Sequence, residues 1–203
     1  MPSTTDFPPE PLVLTGRHVV LQPLSLAHLD ELLEAGADPD VWRWLPHAYF
    51  LDRDLARQWI EDAVAEQTAK RALPFAIIDA ASGRAAGSTR MFDFRPDHKG
   101  LEIGWTWLGA PYQRTAINTE CKRLLLGFAF EQLGALRVQL KTDSRNTRSR
   151  AAIERMGASF EGVLRNHMLL PNGDLRHSAF FSVLADEWPT TRQRLDSFLE
   201  QAP

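Results

Sequence analysis

A short polar segment, Gln113-Arg114-Thr115-Ala116-Ile117-Asn118, separates two apolar stretches of different periodicity. Upstream, Leu101 to Leu108 is rich in branched and aromatic residues, the composition of a strand, and Gly109, Ala110 and Pro111 end it. Downstream, Ile117, Cys121, Leu124, Leu125 and Phe128 recur at helical spacing. A turn that opens a helix presents unpaired backbone N–H groups at the positive end of the helix dipole, which is the chemistry of an anion site. Arg114 adds a fixed positive charge, Asn118 or Thr119 is placed to cap the helix, and Glu120 in the first turn suits the dipole. A phosphorylated ligand could be held there by amides and one guanidinium. An ordinary capped strand–helix junction shares these local features.

Other chemistries are disfavoured by what the chain lacks. No G-x-G-x-x-G opens an early βαβ unit, and neither a Walker loop nor a G-x-S-x-G elbow is present. Histidines 18, 28, 47, 98, 167 and 177 have no ligand spacing such as H-x-x-x-H, so no metal is expected. The single cysteine, Cys121, excludes an intramolecular disulfide and reads as a small buried hydrophobe. The formal net charge is −3 over 203 residues, which argues against a broad nucleic-acid-binding face. No apolar run is long enough to cross a membrane, and the N-terminus does not read as a signal peptide, so a cytoplasmic protein is expected.

The surrounding elements must position the turn. Met1 to Pro11 is expected to be a flexible lead-in, and 12–203 one domain. A strand over His18 to Leu24 precedes a helix with Leu26, Leu29, Leu32 and Leu33 on one face and Ser25 as its cap. A loop from Asp38 to Leu51 carries Trp42, Trp44, His47, Tyr49 and Phe50, either to cover the core or to line a pocket. A second helix begins at Asp52 or Asp54, with Leu55, Trp59 and Ala63 buried. Strands over Leu73–Ala80, Arg84–Phe94 and Leu101–Leu108 form an antiparallel meander in which Gly87 marks a bulge or close approach. The central helix runs from about Ile117 to Leu133 with Gly134 ending it. A strand over Leu136–Thr142 and a short helix ending at Gly157 follow. Phe160–Leu170 and Leu175–Leu184 form a hairpin across an Asn-Gly turn, and Glu187–Leu199 is a final helix. The class is α+β with a mixed central sheet.

These residues resemble the GNAT acyltransferase superfamily, in its RimJ/RimL-like branch. The resemblance rests on EIGWTW, the QRTAIN loop, NTE after it and KTDSRNTRSRAAIERMGA, in that order, and covers roughly Leu14 to Leu199. The family loop reads [QR]-x-x-G-x-[GA]; here Ala116 and Asn118 replace small residues, which bears on how tightly phosphates are held. The resemblance implies a sheet splayed at its two central strands and acetyl-CoA as acetyl donor. Gln113, Arg114, Thr115, Ala116, Ile117, Asn118 and Thr119 would hold its pyrophosphate. Trp105, Thr106, Trp107, Leu108 and Asn146 would hold its pantetheine arm. Glu102 is the candidate base, and Asn146 and Ser149 are the candidates near the thioester, Ser149 standing in for the tyrosine that many members carry. Asn146 and Ser149 also read as ordinary helix-start residues, and Arg145, Arg148 and Arg150 as outer-phosphate ligands or a solvated face. The acceptor implied is a primary amine, on a protein N-terminus or a small molecule, and a homodimer is left open. Two rivals remain: a sugar-phosphate enzyme using the same loop, and a non-catalytic CoA-binding domain.

Overall fold

Five N-terminal strands, the central ones buried on both faces, build an antiparallel meander that later joins three further strands. The computed structural model describes residues 7–202. Eight strands form one sheet in the order β1-β2-β3-β4-β5-β6-β8-β7. They are β1 (Leu14–Thr15), β2 (Val19–Pro23), β3 (Ala72–Asp79), β4 (Ala85–Arg95), β5 (Gly100–Leu108), β6 (Arg137–Asp143), β7 (Ser159–Leu169) and β8 (Leu175–Leu184). Every neighbouring pair is antiparallel except β5 with β6. Of the lead-in expected over Met1–Pro11, residues 1–6 lie outside the described residues. Phe7 sets its ring edge against Phe94 at 5.5 Å.

Helices cover both faces of the sheet. Helices α1 (Leu29–Ala35) and α2 (Arg53–Thr68) pack with Trp42, Phe50, Ala76, Ile78 and Trp107 on one face. Helices α3 (Ala116–Gly127), α4 (Thr147–Arg155) and α5 (Trp188–Glu200) cover the other face, over Leu101, Ile103, Val138, Leu140 and Phe181. The buried stripe of α2 is Ala56, Trp59, Ile60 and Ala63. Leu55, expected inside, is 51% exposed, because the stripe lies one position further round the helix. The central helix also differs from expectation. It is α-helical only to Gly127 and continues as a wider π turn over Phe128–Gln132, where Glu131 accepts the Trp188 indole N–H at 2.9 Å.

Two irregularities shape the middle of the sheet. Gly87 pairs with Leu108, where a Cβ would strike the Trp107 carbonyl, and β3–β4 slips register beside it, so the position is both bulge and close approach. On β5, Trp105 and Thr106 together face the one residue Thr89, and Trp105 takes a left-handed φ of 53°. The extra residue switches the strand's faces, so that Ile103 is buried in the core under α3 while Trp107 is buried in the core with α1 and α2, and Thr106 turns towards α3.

Candidate active site

The parallel pairing of β5 with β6 lasts three residues, from Gly100–Arg137 to Glu102–Gln139. Beyond it the strands diverge, and a cavity of about 1060 Å³ occupies the wedge. The free side of Ile103–Leu108, the loop into α3, the start of α4 and the ends of β6 and β8 line it. Glu102, Trp105 to Leu108, Gln113 to Thr119, Asn146 and Ser149 all lie on this lining, as does Arg148, while Arg145 and Arg150 do not.

At the α3 end, the turn is built by local chemistry. Gln113 donates to the Leu108 carbonyl at 2.9 Å, and Arg148 donates to the Gln113 side-chain oxygen at 2.8 Å. Arg114 has φ of 63°, which reverses the chain so that α3 starts at Ala116. Thr115 is therefore the cap, its hydroxyl accepting from the Ile117 N–H at 3.3 Å, in place of Asn118 or Thr119. Asn118 instead lines the cavity, and Thr119 accepts from Arg155 at 2.9 Å. Arg114, Arg148 and Arg155 thus stand around a helix start with free N–H groups. Arg145 and Arg150 do not join them, for Arg145 pairs with Asp143 and Arg150 donates to the Ser144 carbonyl.

Glu120 is not a first-turn dipole partner. It is buried, and its carboxylate accepts the backbone N–H groups of Arg17, His18 and Val19 at 2.9, 2.6 and 2.7 Å. It ties α3 to the β1–β2 turn, where a Cβ on Gly16 would collide with that carboxylate.

Lys122, one and a half turns into α3, was not foreseen as a site residue. Its amine donates to Thr106 at 2.6 Å, and Thr106 shares a 2.8 Å hydrogen bond with Thr89. Burial pushes its pKa down, and among the described residues it has no carboxylate partner. The only sequence signal was a lysine directly beside the apolar stripe at Cys121.

The opposite face of the wedge holds Glu102, 2% exposed. Gln139 donates to its Oε2 at 2.8 Å. Lys141 Nζ is 3.1 Å from both carboxylate oxygens, but its direction makes a hydrogen bond only to Oε2. Oε1 is left buried without a hydrogen bond. Burial raises the Glu102 pKa, and Lys141 and Gln139 offset only part of that rise. A buried carboxylate held partly above its usual range, with one free oxygen at a cavity, can accept a proton near neutral pH. At α4, Asn146 caps the helix by accepting the Ser149 N–H at 3.0 Å, and both residues line the cavity. The aromatic loop divides between its two readings: Trp42 and Phe50 are buried in the core, while Trp44, Leu45 and Pro46 line the cavity.

The chain is similar in sequence and fold to known proteins. The family model described as an acetyltransferase (GNAT) domain matches residues 18–159. The chain belongs to the GNAT acetyltransferase family. A GCN5-related N-acetyltransferase from Brucella melitensis is 34% identical, with a TM-score of 0.87 over 94% of this chain and 86% of that one. The Bacillus subtilis (strain 168) protein named "Putative ribosomal N-acetyltransferase YdaF" is 30% identical over 106 residues, 52% of this chain and 57% of that one. Mycobacterium smegmatis RimJ in complex with CoA-disulfide shares the fold alone, at 20% identity and a TM-score of 0.79 over 93% of this chain and 95% of that one. Among the described residues no helix is long and apolar enough to cross a membrane.

Proposed function

We propose that this GNAT acetyltransferase moves an acetyl group from acetyl-CoA to a primary amine by direct attack with both substrates bound. The observation that carries the reading is the wedge itself, which has a helix-start turn with Arg114, Arg148 and Arg155 on the α3 face and Glu102 on the other. Acetyl-CoA, when bound, supplies an activated acetyl thioester. Gln113 to Thr119, with Arg114, Arg148 and Arg155, would hold its phosphates through helix-start N–H groups and guanidinium donors. The free edge of Trp105 to Leu108 would hold the arm, and Lys122 has two N–H donors to spare beside it. Ala116 at the first helical position leaves the backbone accessible, since its methyl group is the smallest side chain after hydrogen.

Glu102 accepts the proton that the amine sheds on attack. Its raised pKa makes it a stronger base than an exposed glutamate, and Lys141 and Gln139 offset part of the rise that burial causes. Asn146 orders the start of α4, and the Ser149 hydroxyl, which lines the cavity, is the candidate donor for the departing thiolate. No covalent intermediate on the protein is needed, and Cys121, wholly buried with its thiol pKa pushed up by burial, is unsuited to one. Release of free thiol from acetyl-CoA on addition of an amine, with a gain of one acetyl mass on that amine, tests the reading. Cofactor binding without product across peptide and small-amine acceptors would favour a non-catalytic CoA-binding domain.

A further inference from the structure

Beyond the α3 end, four charged residues share one sheet face, Glu102, Lys141, Asp143 and Arg176, of which Glu102, Lys141 and Arg176 line the cavity. Directly paired residues in an antiparallel ladder share a face, so Gln139, Lys141 and Asp143 of β6 stand with Ser182, Phe180 and Ser178 of β8. Arg176, two residues before Ser178, continues the same row. Lys141 pairs with Glu102, and the Arg145 guanidinium, from the turn after β6, makes two hydrogen bonds to Asp143 at 3.0 and 2.9 Å. The remaining charge on this face is Arg176, which has no ion pair among the described residues. It is 8% exposed, its Nε is buried without a hydrogen bond, and among the described residues its guanidinium donates to no protein acceptor. It lines the cavity with Thr142 and Met168. Burial lowers its pKa although Asp143 and Glu102 act in the other direction. The nearby His167 imidazole is lowered too, first by burial and then by the positive charges of Lys141 and Arg176.

We propose that Arg176 binds a carboxylate on the acceptor while the acceptor's amine faces Glu102, an inference that rests on the acetyl-transfer reading. A guanidinium stays charged, and its planar fork of N–H donors matches a carboxylate. One unpaired guanidinium beside two carboxylates balances a single negative charge, so a phosphate dianion fits poorly. A polycation is repelled. Arg176 lies six residues along β8 from Ser182, which stands beside Gln139 and hence Glu102. That is about 20 Å of strand, shortened by the reach of two long side chains. The carboxylate therefore sits several bonds from the amine, as in a peptide with an acidic residue shortly behind its N-terminus.

The test uses two peptides of identical sequence with Glu or Gln at the second and third positions, and spermidine. The Glu peptide is expected to be acetylated with kcat/KM at least about tenfold above the Gln peptide, and in Arg176→Gln that ratio falls towards one. Should Arg176→Gln fail to fold, Arg176→Lys gives the same comparison, with the ratio reduced. Equal use of the two peptides, a preference for spermidine, or a ratio unchanged by the substitution overturns the proposal. A second arm needs no turnover: with CoA present, the Glu peptide raises Tm more than the Gln peptide in the wild type and not in Arg176→Gln. That result without acetylation upholds the subsite and defeats the transferase reading. No difference in the wild type defeats the subsite.

Discussion

The two ends of the wedge are built in opposite ways. At the α3 end, contiguous residues make the frame of the site, a left-handed Arg114, a capping Thr115 and the first N–H groups of the helix, to which α4 adds Arg148 and Arg155. At the other end, Glu102, Gln139, Lys141, Asp143 and Arg176 come from three strands and meet only through register. A local site is held by backbone and tolerates side-chain change at most positions. A site assembled from distant strands depends on each charge having its partner. Substitutions at the α3 end should therefore alter affinity with the fold intact, whereas those at the strand end should alter turnover and its pH dependence.

The largest expected effect probes what holds α3 in place. Glu120→Ala leaves the N–H groups of Arg17, His18 and Val19 without their acceptor, at a cost of about 3 kcal/mol. Thermal unfolding should fall by about 6 °C or more for a chain of this size. A melting point within a degree of the wild type would show that α3 does not depend on this anchor. Next, Ala116→Asp puts a carboxylate at the helix start. It suits the dipole, so circular dichroism should be unchanged, while CoA affinity measured by calorimetry should drop by about a hundredfold or more. Unchanged affinity would remove the turn from the cofactor site. The smallest effect belongs to Thr115→Ala, which removes one cap for about 1 kcal/mol of stability. CoA affinity should weaken severalfold at most, and a loss as large as that of Ala116→Asp would mean that the threonine hydroxyl itself is a ligand.

The same contrast explains what the sequence disclosed. The strand–turn–helix unit was legible because every part is local: composition marks β5, Gly109 to Pro111 stop it, and the period changes at Ile117. The Asn-Gly hairpin and the burial of Cys121 were legible for the same reason. Misreadings arose where a neighbour from another element decides. Thr119 and Glu120 looked like helix-start residues but serve Arg155 and the β1–β2 turn. Leu55 fits an apolar stripe by spacing, yet the sheet lies against the stripe beside it. Lys122 and Arg176 gave no local sign of burial without an opposite charge, since that depends on which strands end beside them.

The central claim is that a buried carboxylate, raised by its surroundings, takes the proton from the acceptor amine. The most direct measurement is the pH dependence of kcat for the wild type and Glu102→Gln. Because burial raises the Glu102 pKa, the carboxylate is ionised and competent above that value, and activity is lost as pH falls through it. The wild-type acid limb should lie above the ordinary glutamate range. Glu102→Gln keeps the shape and a hydrogen-bonding oxygen, so CoA affinity should hold while kcat at neutral pH falls by about a hundredfold and the acid limb disappears. A Glu102→Gln enzyme that melts and turns over like the wild type, with the same acid limb, would contradict the account.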